Sequence, residues 1–491
     1  MRAKAMDFDR EAPVSLDLIN PDLMPTAKND RTWDWKAIAA LWVGMVVCVP
    51  AYMIAAGLVS EGMSWKEAVG TVLVANFIVL IPMIAIGHAG TKHGIPFPVL
   101  LRASFGTRGA KIPALLRGLV ACGWFGIQTW VGGAAIYAIG NILTMGALDG
   151  EPLPVLGIDA GQTGCFLAFW LLHVWFIRNG TESIRWLELW AAPVLIAMCA
   201  GLLYWAWDRA DGFGPMLATP SKFAVGGERE GEFYNVFWPS LTAMVGFWAT
   251  LALNIPDFTR YARSQRDQVL GQALGLPIPM AALAFVGVAV TSATVIIYGE
   301  AIWDPVKLTE RMGGLGVIIA LFALILATIT TNLAANVVAP ANGFSNLSPR
   351  RISFKMGGYI TAGIGIAMFP WKLLETTGAY IFTWLIGYSA LLGPIAGIML
   401  VDYFLIRRAE LDTDELFKEG GRYSYRGGYN PVAFLALVVG VAPNIPGFLK
   451  AAGFVDSVPG VFNTIYAYAW FVGLFIAGGV YFMFTKRMKT G

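Results

Sequence analysis

Long apolar runs separated by short polar links recur from residue 37 to the end of the chain. A helix needs roughly 20 apolar residues to cross a bilayer. Twelve stretches meet that measure: 37–59, 67–89, 111–140, 163–180, 184–207, 236–257, 273–299, 314–337, 353–373, 377–405, 431–449 and 463–485. The fourth, fifth and sixth carry charges or polar edges. The pattern predicts an all-α membrane protein with twelve transmembrane helices.

The eighth run departs from plain hydrophobicity. Leu324–Asn342 reads LILATITTNLAANVVAPAN and holds Thr328, Thr330, Thr331, Asn332 and Asn336. On a helix Thr328, Asn332 and Asn336 form one stripe, and Ala327, Thr330 and Thr331 a second. Polar groups in a bilayer must face protein or a wet cavity. Such residues either join helices together or line a site. Two Asn one turn apart favour the site, because each buried amide needs several partners.

Two other runs look interrupted. The first contains Gly44, Pro50 and Gly57, and the sixth has Gly246 near its middle and Pro256 near its end. Proline withholds a backbone donor and clashes with the preceding turn. Interrupted helices at matching positions of two halves point to an inverted-repeat transporter, with ordinary proline kinks as the alternative. The third run carries Trp124 and Gln128 one turn apart, and Trp248 lies deep in the sixth. Indole faces and carboxamide tips suit a flat, neutral ring. No cationic side chain falls in this set, which argues against an anionic substrate.

Composition agrees with the pattern. The 491 residues are 57% hydrophobic and 14% charged, with a mean hydropathy of +0.62. A soluble chain carries about 25% charge. The net charge of +3 gives no case for nucleic acid. Cys48, Cys122, Cys165 and Cys199 lack paired spacing, and His88, His93 and His173 do not cluster, so no metal site of the histidine–cysteine type is expected. Residues 1–36 read as a cytoplasmic tail rather than a cleavable signal. With that tail inside, 27 of the 35 Lys and Arg fall on the cytoplasmic side, as the positive-inside rule requires. Both termini, including 486–491, are then cytoplasmic.

The strings AGTKHGIPFPVLLRASFG, GWFGIQTW, WATLALNIPDFTRYARSQ, TTNLAANVVAPAN and SALLGPIAGIMLVDYFLIRR resemble the nucleobase:cation symporter-1 family. The resemblance covers nearly all of residues 30–490. It implies a leucine-transporter-like fold: repeats 37–207 and 236–405, then two peripheral helices within 431–485. It also implies alternating-access import of a nucleobase or cyclic ureide by a symporter of the inner membrane, expected to be a monomer. By similarity, Trp124 and Trp248 would sandwich the ring, Gln128 and Asn336 would bond its edges, and Phe247 would contact it at a break in helix six. A Na⁺ site would use the carbonyls of Gly44, Val47 and Ala327 and the hydroxyls of Thr330 and Thr331. Hard cations prefer oxygen ligands, and no carboxylate in these stretches serves a proton. Thr331 and Asn336 lie about 140° apart on an ideal helix, so ion and substrate would meet different sides of it unless the backbone distorts.

Cys48 is a departure, since many relatives carry a side-chain amide there. Uracil is the first expectation, with allantoin and hydantoin next. The alternatives are a proton-coupled purine or cytosine carrier and a passive channel. Asp257, Arg260 and Asp402 are expected to pair or cap at an interface, with a gate contact as the functional reading. Glu182 and Glu188 are expected to pair with Arg178 or Arg185. No HExxH, GxSxG or mid-span carboxylate pair suggests an enzyme.

Overall fold

The computed structural model describes residues 18–179, 181–312, 315–376 and 379–490. Among these the chain is almost wholly helical, with two isolated β-bridges as its strand-like features. The order begins α1 (Trp35–Val46), α2 (Val49–Ser60), α3 (Trp65–His93), α4 (Phe97–Phe105), α5 (Lys111–Thr144), α6 (Ala160–Asn179) and α7 (Thr181–Arg209). It continues α8 (Phe213–Met216), α9 (Phe233–Asn254), α10 (Pro256–Thr259), α11 (Gln265–Gly275), α12 (Pro277–Tyr298) and α13 (Pro305–Met312). Then come α14 (Leu315–Asn336), α15 (Val338–Leu347), α16 (Phe354–Ala367) and α17 (Pro370–Leu373). A π-helical turn, Ala379–Leu385, leads into α18 (Ile386–Leu400), which passes into a second, Val401–Ile406. The last elements are α19 (Pro431–Val441), α20 (Ile445–Ala451), α21 (Gly460–Ala467) and α22 (Ala469–Thr490).

Nine helices among the described residues are long and apolar enough to cross a membrane, or ten if the bent pair α1–α2 is one span. The expected count of twelve is therefore not confirmed among the described residues. The ninth predicted span holds α16, whose 14 residues extend about 21 Å, short of a ~30 Å hydrocarbon core. The fifth is helical as α7, but the side chains of residues 181–192, and with them the expected Glu182 and Glu188 pairings, lie outside the described residues.

The two predicted interruptions fare differently. α1 and α2 meet at 59° across Val47 and Cys48, and Pro50 sits in the first turn of α2, where its missing N–H costs nothing. The sixth run is not broken at Gly246: α9 is helical throughout and ends at Asn254, ahead of Pro256. Gly246 answers to packing instead. A Cβ there would fall 1.7 Å from Ser389 Oγ and 3.2 Å from the Leu385 carbonyl, so the glycine admits the 379–400 segment against α9. In the second half the break lies in the eighth run, at Val337 between α14 and α15.

α5 packs against α6, α14, α15 and α16 and so sits inside the bundle. Its approach to α16 depends on Gly126, where a Cβ would lie 2.4 Å from the Gly365 carbonyl. At the periphery α22 packs on α18 and α19. The interface carboxylates are hydrogen-bonded or paired. Asp257 accepts from the Phe97 N–H at 2.8 Å, at the start of α4. Asp402 pairs with Arg407 at 2.7 Å and accepts from Tyr481 at 2.7 Å. Arg260 donates to the Asp22 carbonyl at 3.0 Å.

Candidate substrate and cation site

Met45, Cys48, Arg117, Trp124, Gln128, Phe247, Trp248, Thr250, Leu251, Thr331, Ala335 and Asn336 line one cavity of ≈ 40 Å³. It brings together all six residues singled out for substrate, from α1–α2, α5, α9 and α14. The helix period explains the α5 contribution, because residues 117, 124 and 128 stand at i, i+7 and i+11 on one face. Thr331 and Asn336 both reach this cavity, so the 140° between them does not separate them. Helix α14 stops at Asn336, and the backbone turns away at Val337 with φ −110°.

The aromatic residues touch edge to face. Trp124 meets Phe247 at 5.2 Å and 88°, and Phe247 meets Trp248 at 4.8 Å and 78°. Phe247 thus contacts both indoles, from within a continuous helix and not from a break. Trp42 backs Trp248 at 5.4 Å. Toward one end Trp124 meets Tyr380 at 6.1 Å and Trp384 at 6.1 Å. The Tyr380 hydroxyl donates to the Pro50 carbonyl at 3.1 Å, which ties the 379–385 turn to α2. A drug-sized ligand needs roughly 300–1,000 Å³, so this slot must widen to admit a ring.

Four buried polar atoms on the lining have no hydrogen-bond partner: Gln128 Oε1, Trp248 Nε1, Arg117 Nη1 and Thr331 Oγ1. Leaving such groups unmade costs about 1–3 kcal/mol each, so a ligand with matching donors and acceptors gains by meeting them. Arg117 corrects the expectation that no cation lies in this set. Its Nε donates to the Thr250 carbonyl at 2.8 Å, and Nη2 to Asn254 Oδ1 at 3.0 Å. The i+7 spacing to Trp124 is the signal available in the sequence.

Of the expected cation ligands, Thr331 lines this cavity, and Val47 and Ala327 line a second cleft that shares Cys48 with it. The Cys48 N–H, whose helical acceptor would be the Gly44 carbonyl, donates to Val46 O at 2.8 Å. Regular pairing resumes with Tyr52 N to Cys48 O at 3.2 Å, so the carbonyls of Gly44 and Val47 are released at the bend. Val47 packs against the small cluster of Leu195 and Ala327. Thr331 Oγ1 is buried and without a partner, whereas Thr330 donates to the carbonyls of Leu326 at 3.0 Å and Ala327 at 2.8 Å. Freed carbonyls and an orphan hydroxyl fit a hard cation.

A larger cleft of ≈ 600 Å³ runs between α2, α7, α12, α13 and α14, and Val47, Cys48 and Ala327 are on its wall. Its lining is mostly aliphatic, and Gln128 and Asn336 are absent from it. The groups that could read a ring edge, Gln128 and Asn336, line the small cavity instead.

A helical membrane bundle with an indole-lined cavity beside a broken helix defines a membrane transporter rather than an enzyme. The chain belongs to the permease family for cytosine and purines, uracil, thiamine and allantoin, which matches residues 25–473. It is 46% identical to the purine-uracil permease NCS1 of Arabidopsis thaliana, over 97% of this chain and 79% of that one. It is 41% identical to the allantoin permease of Bacillus subtilis, over 94% and 91%. Among solved structures it resembles Mhp1, a nucleobase-cation-symport-1 family transporter, at 27% identity. The TM-score is 0.79 for the inward-facing form (98% of this chain, 96% of that one) and 0.74 for the closed form with bromovinylhydantoin bound (96% and 95%).

Proposed function

We propose that the protein is a cation-coupled symporter that imports a neutral planar nucleobase or cyclic ureide, with uracil first and allantoin or hydantoin next. The observation that carries this reading is the single cavity where Trp124, Trp248 and Phe247 supply ring faces while Gln128 and Asn336 supply amide edges. The free Gln128 Oε1 accepts from a ring N–H, and Arg117 Nη1 donates to a ring carbonyl. The likeness to a purine-uracil permease supports uracil, and that to an allantoin permease supports a ureide.

The coupling ion is Na⁺ in this reading. Thr330 and Thr331 with the carbonyls of Gly44, Val47 and Ala327 would hold it, and its charge would tie α1 to α14. Binding of ion and substrate must then be reciprocal. Rocking of repeat 37–207 against repeat 236–405, with 431–485 peripheral, would expose the cavity to each side in turn. The Tyr380–Pro50 bond closes the external face and Arg117–Asn254 lies toward the cytoplasmic one. The lysine and arginine bias supports cytoplasmic termini in the inner membrane, and the protein acts as a monomer.

Proteoliposome uptake of labelled uracil, allantoin and hydantoin, with Na⁺ and pH gradients imposed separately, tests this reading. Uptake that falls when choline replaces Na⁺ supports the ion; unchanged uptake driven by a pH gradient assigns a proton. Trans-acceleration by unlabelled substrate distinguishes a carrier from a passive channel, which shows none.

A further inference from the structure

We infer that His173, on a helix that contributes nothing to the cavity lining, is a positioning residue that fixes Asn336 as a hydrogen-bond acceptor for a ring N–H. The inference rests on the reading of Asn336 as a substrate contact.

The argument starts from acceptors whose polarity cannot be reversed. The Phe169 carbonyl lies 2.9 Å from His173 Nδ1. A carbonyl only accepts, so Nδ1 carries the proton and Nε2 of the neutral ring is an acceptor. The Phe125 carbonyl lies 3.1 Å from one terminal atom of the Asn332 side chain, which must therefore be the nitrogen. Thr129 commits its hydroxyl proton to the same carbonyl at 2.7 Å and accepts from Asn332 at 3.3 Å. Asn332 Nδ2 has two protons: one is shared by the Phe125 carbonyl and the Thr129 hydroxyl oxygen, and the other meets His173 Nε2 at 3.1 Å. Both ends of that contact are fixed independently, and they agree.

The polarity propagates one helical turn. Asn332 Oδ1 can only accept, and it takes a hydrogen bond from Asn336 Nδ2 at 3.0 Å. None of these bonds uses Asn336 Oδ1. The cavity is therefore offered an acceptor from Asn336, because the amide group is engaged on its nitrogen side. His173 and Asn332 are fully buried. The His173 ring is held edge to face by Phe169 at 4.7 Å and Phe125 at 5.1 Å. A ring so confined cannot turn to present the other nitrogen without repacking its neighbours.

The chemistry selected is a heterocycle with an N–H at that edge, in preference to its N-alkylated form. His173→Phe keeps the ring volume and removes the acceptor, freeing Asn332 and Asn336 to rotate. The test measures binding and uptake of the labelled ring that serves as substrate among uracil, allantoin and hydantoin, against its N-methyl derivatives. The expected result for His173→Phe is a KM raised roughly tenfold, as the loss of one buried hydrogen bond gives, with turnover within about twofold of the parent. Discrimination against the N-methyl derivative should fall by a similar factor. His173→Gln, whose carbonyl can accept from Asn332, should restore most of it. A general loss of stability would not change the discrimination ratio. If Asn336→Ala abolishes binding while His173→Phe keeps the parental ratio, the relay is wrong and the site stands. If folded His173→Gln matches His173→Phe, the acceptor role is wrong. If Asn336→Ala binds as the parent does, the site assignment fails and this inference with it.

Discussion

Replacing Thr331 by Val separates two contributions that usually move together. The side chain keeps its shape and loses a buried hydroxyl that has no partner in the protein. Burying such a hydroxyl costs about 1–3 kcal/mol, so without Na⁺ the variant should be more stable than the parent by about 1 kcal/mol. With Na⁺ the order should reverse. A parent held at 100 times its dissociation constant gains about 2.7 kcal/mol from binding, and a variant whose affinity is a hundredfold weaker gains only about 0.4 kcal/mol at the same concentration. Thr330→Val is the matched control, since its hydroxyl already donates to Leu326 and Ala327. It should show no stabilisation in choline. The assay is thermal unfolding of detergent-purified protein in choline chloride and in sodium chloride, with uptake measured in parallel. Crossing of the parent and Thr331→Val curves between the two salts is expected. A variant less stable in choline would refute the orphan-hydroxyl argument, and an undiminished Na⁺ shift would refute the ligand assignment.

Other predictions follow from single contacts. Tyr380→Phe removes the bond to the Pro50 carbonyl; at about 1 kcal/mol the closed form should lose roughly fivefold in population, read as faster maleimide labelling of Cys48 in a protein lacking the other three cysteines. Arg102 is fully buried and donates to the carbonyls of Leu18 and Leu416 and to Asn346 Oδ1, and burial pulls its pKa down to about 10. Arg102→Ala strands those three acceptors and should cost about 3 kcal/mol or more, seen as early unfolding in detergent and poor expression. Gly126→Leu cannot be accommodated against the Gly365 carbonyl and should yield no monodisperse protein; normal yield would mean that α5 and α16 are not in contact.

The sequence by itself determined the membrane class, the places of most helices and the residue types of the site. Those features are local: a bilayer sets the length of an apolar run, and the helical repeat places Trp124 above Gln128 and Asn332 above Asn336. The bend near Pro50 was legible for the same reason, although it falls at Val47–Cys48, ahead of the proline. Gly246 misled because a glycine that loosens a helix and one that admits a neighbour look alike in sequence; only the position of Ser389 distinguishes them. Tertiary structure alone decided that Arg117 reaches Thr250 and Asn254, and that His173 lies within hydrogen-bond distance of Asn332, 159 positions away. Such pairs depend on how far one helix slides and turns against another. Packing across the whole bundle fixes that register, and no local periodicity encodes it.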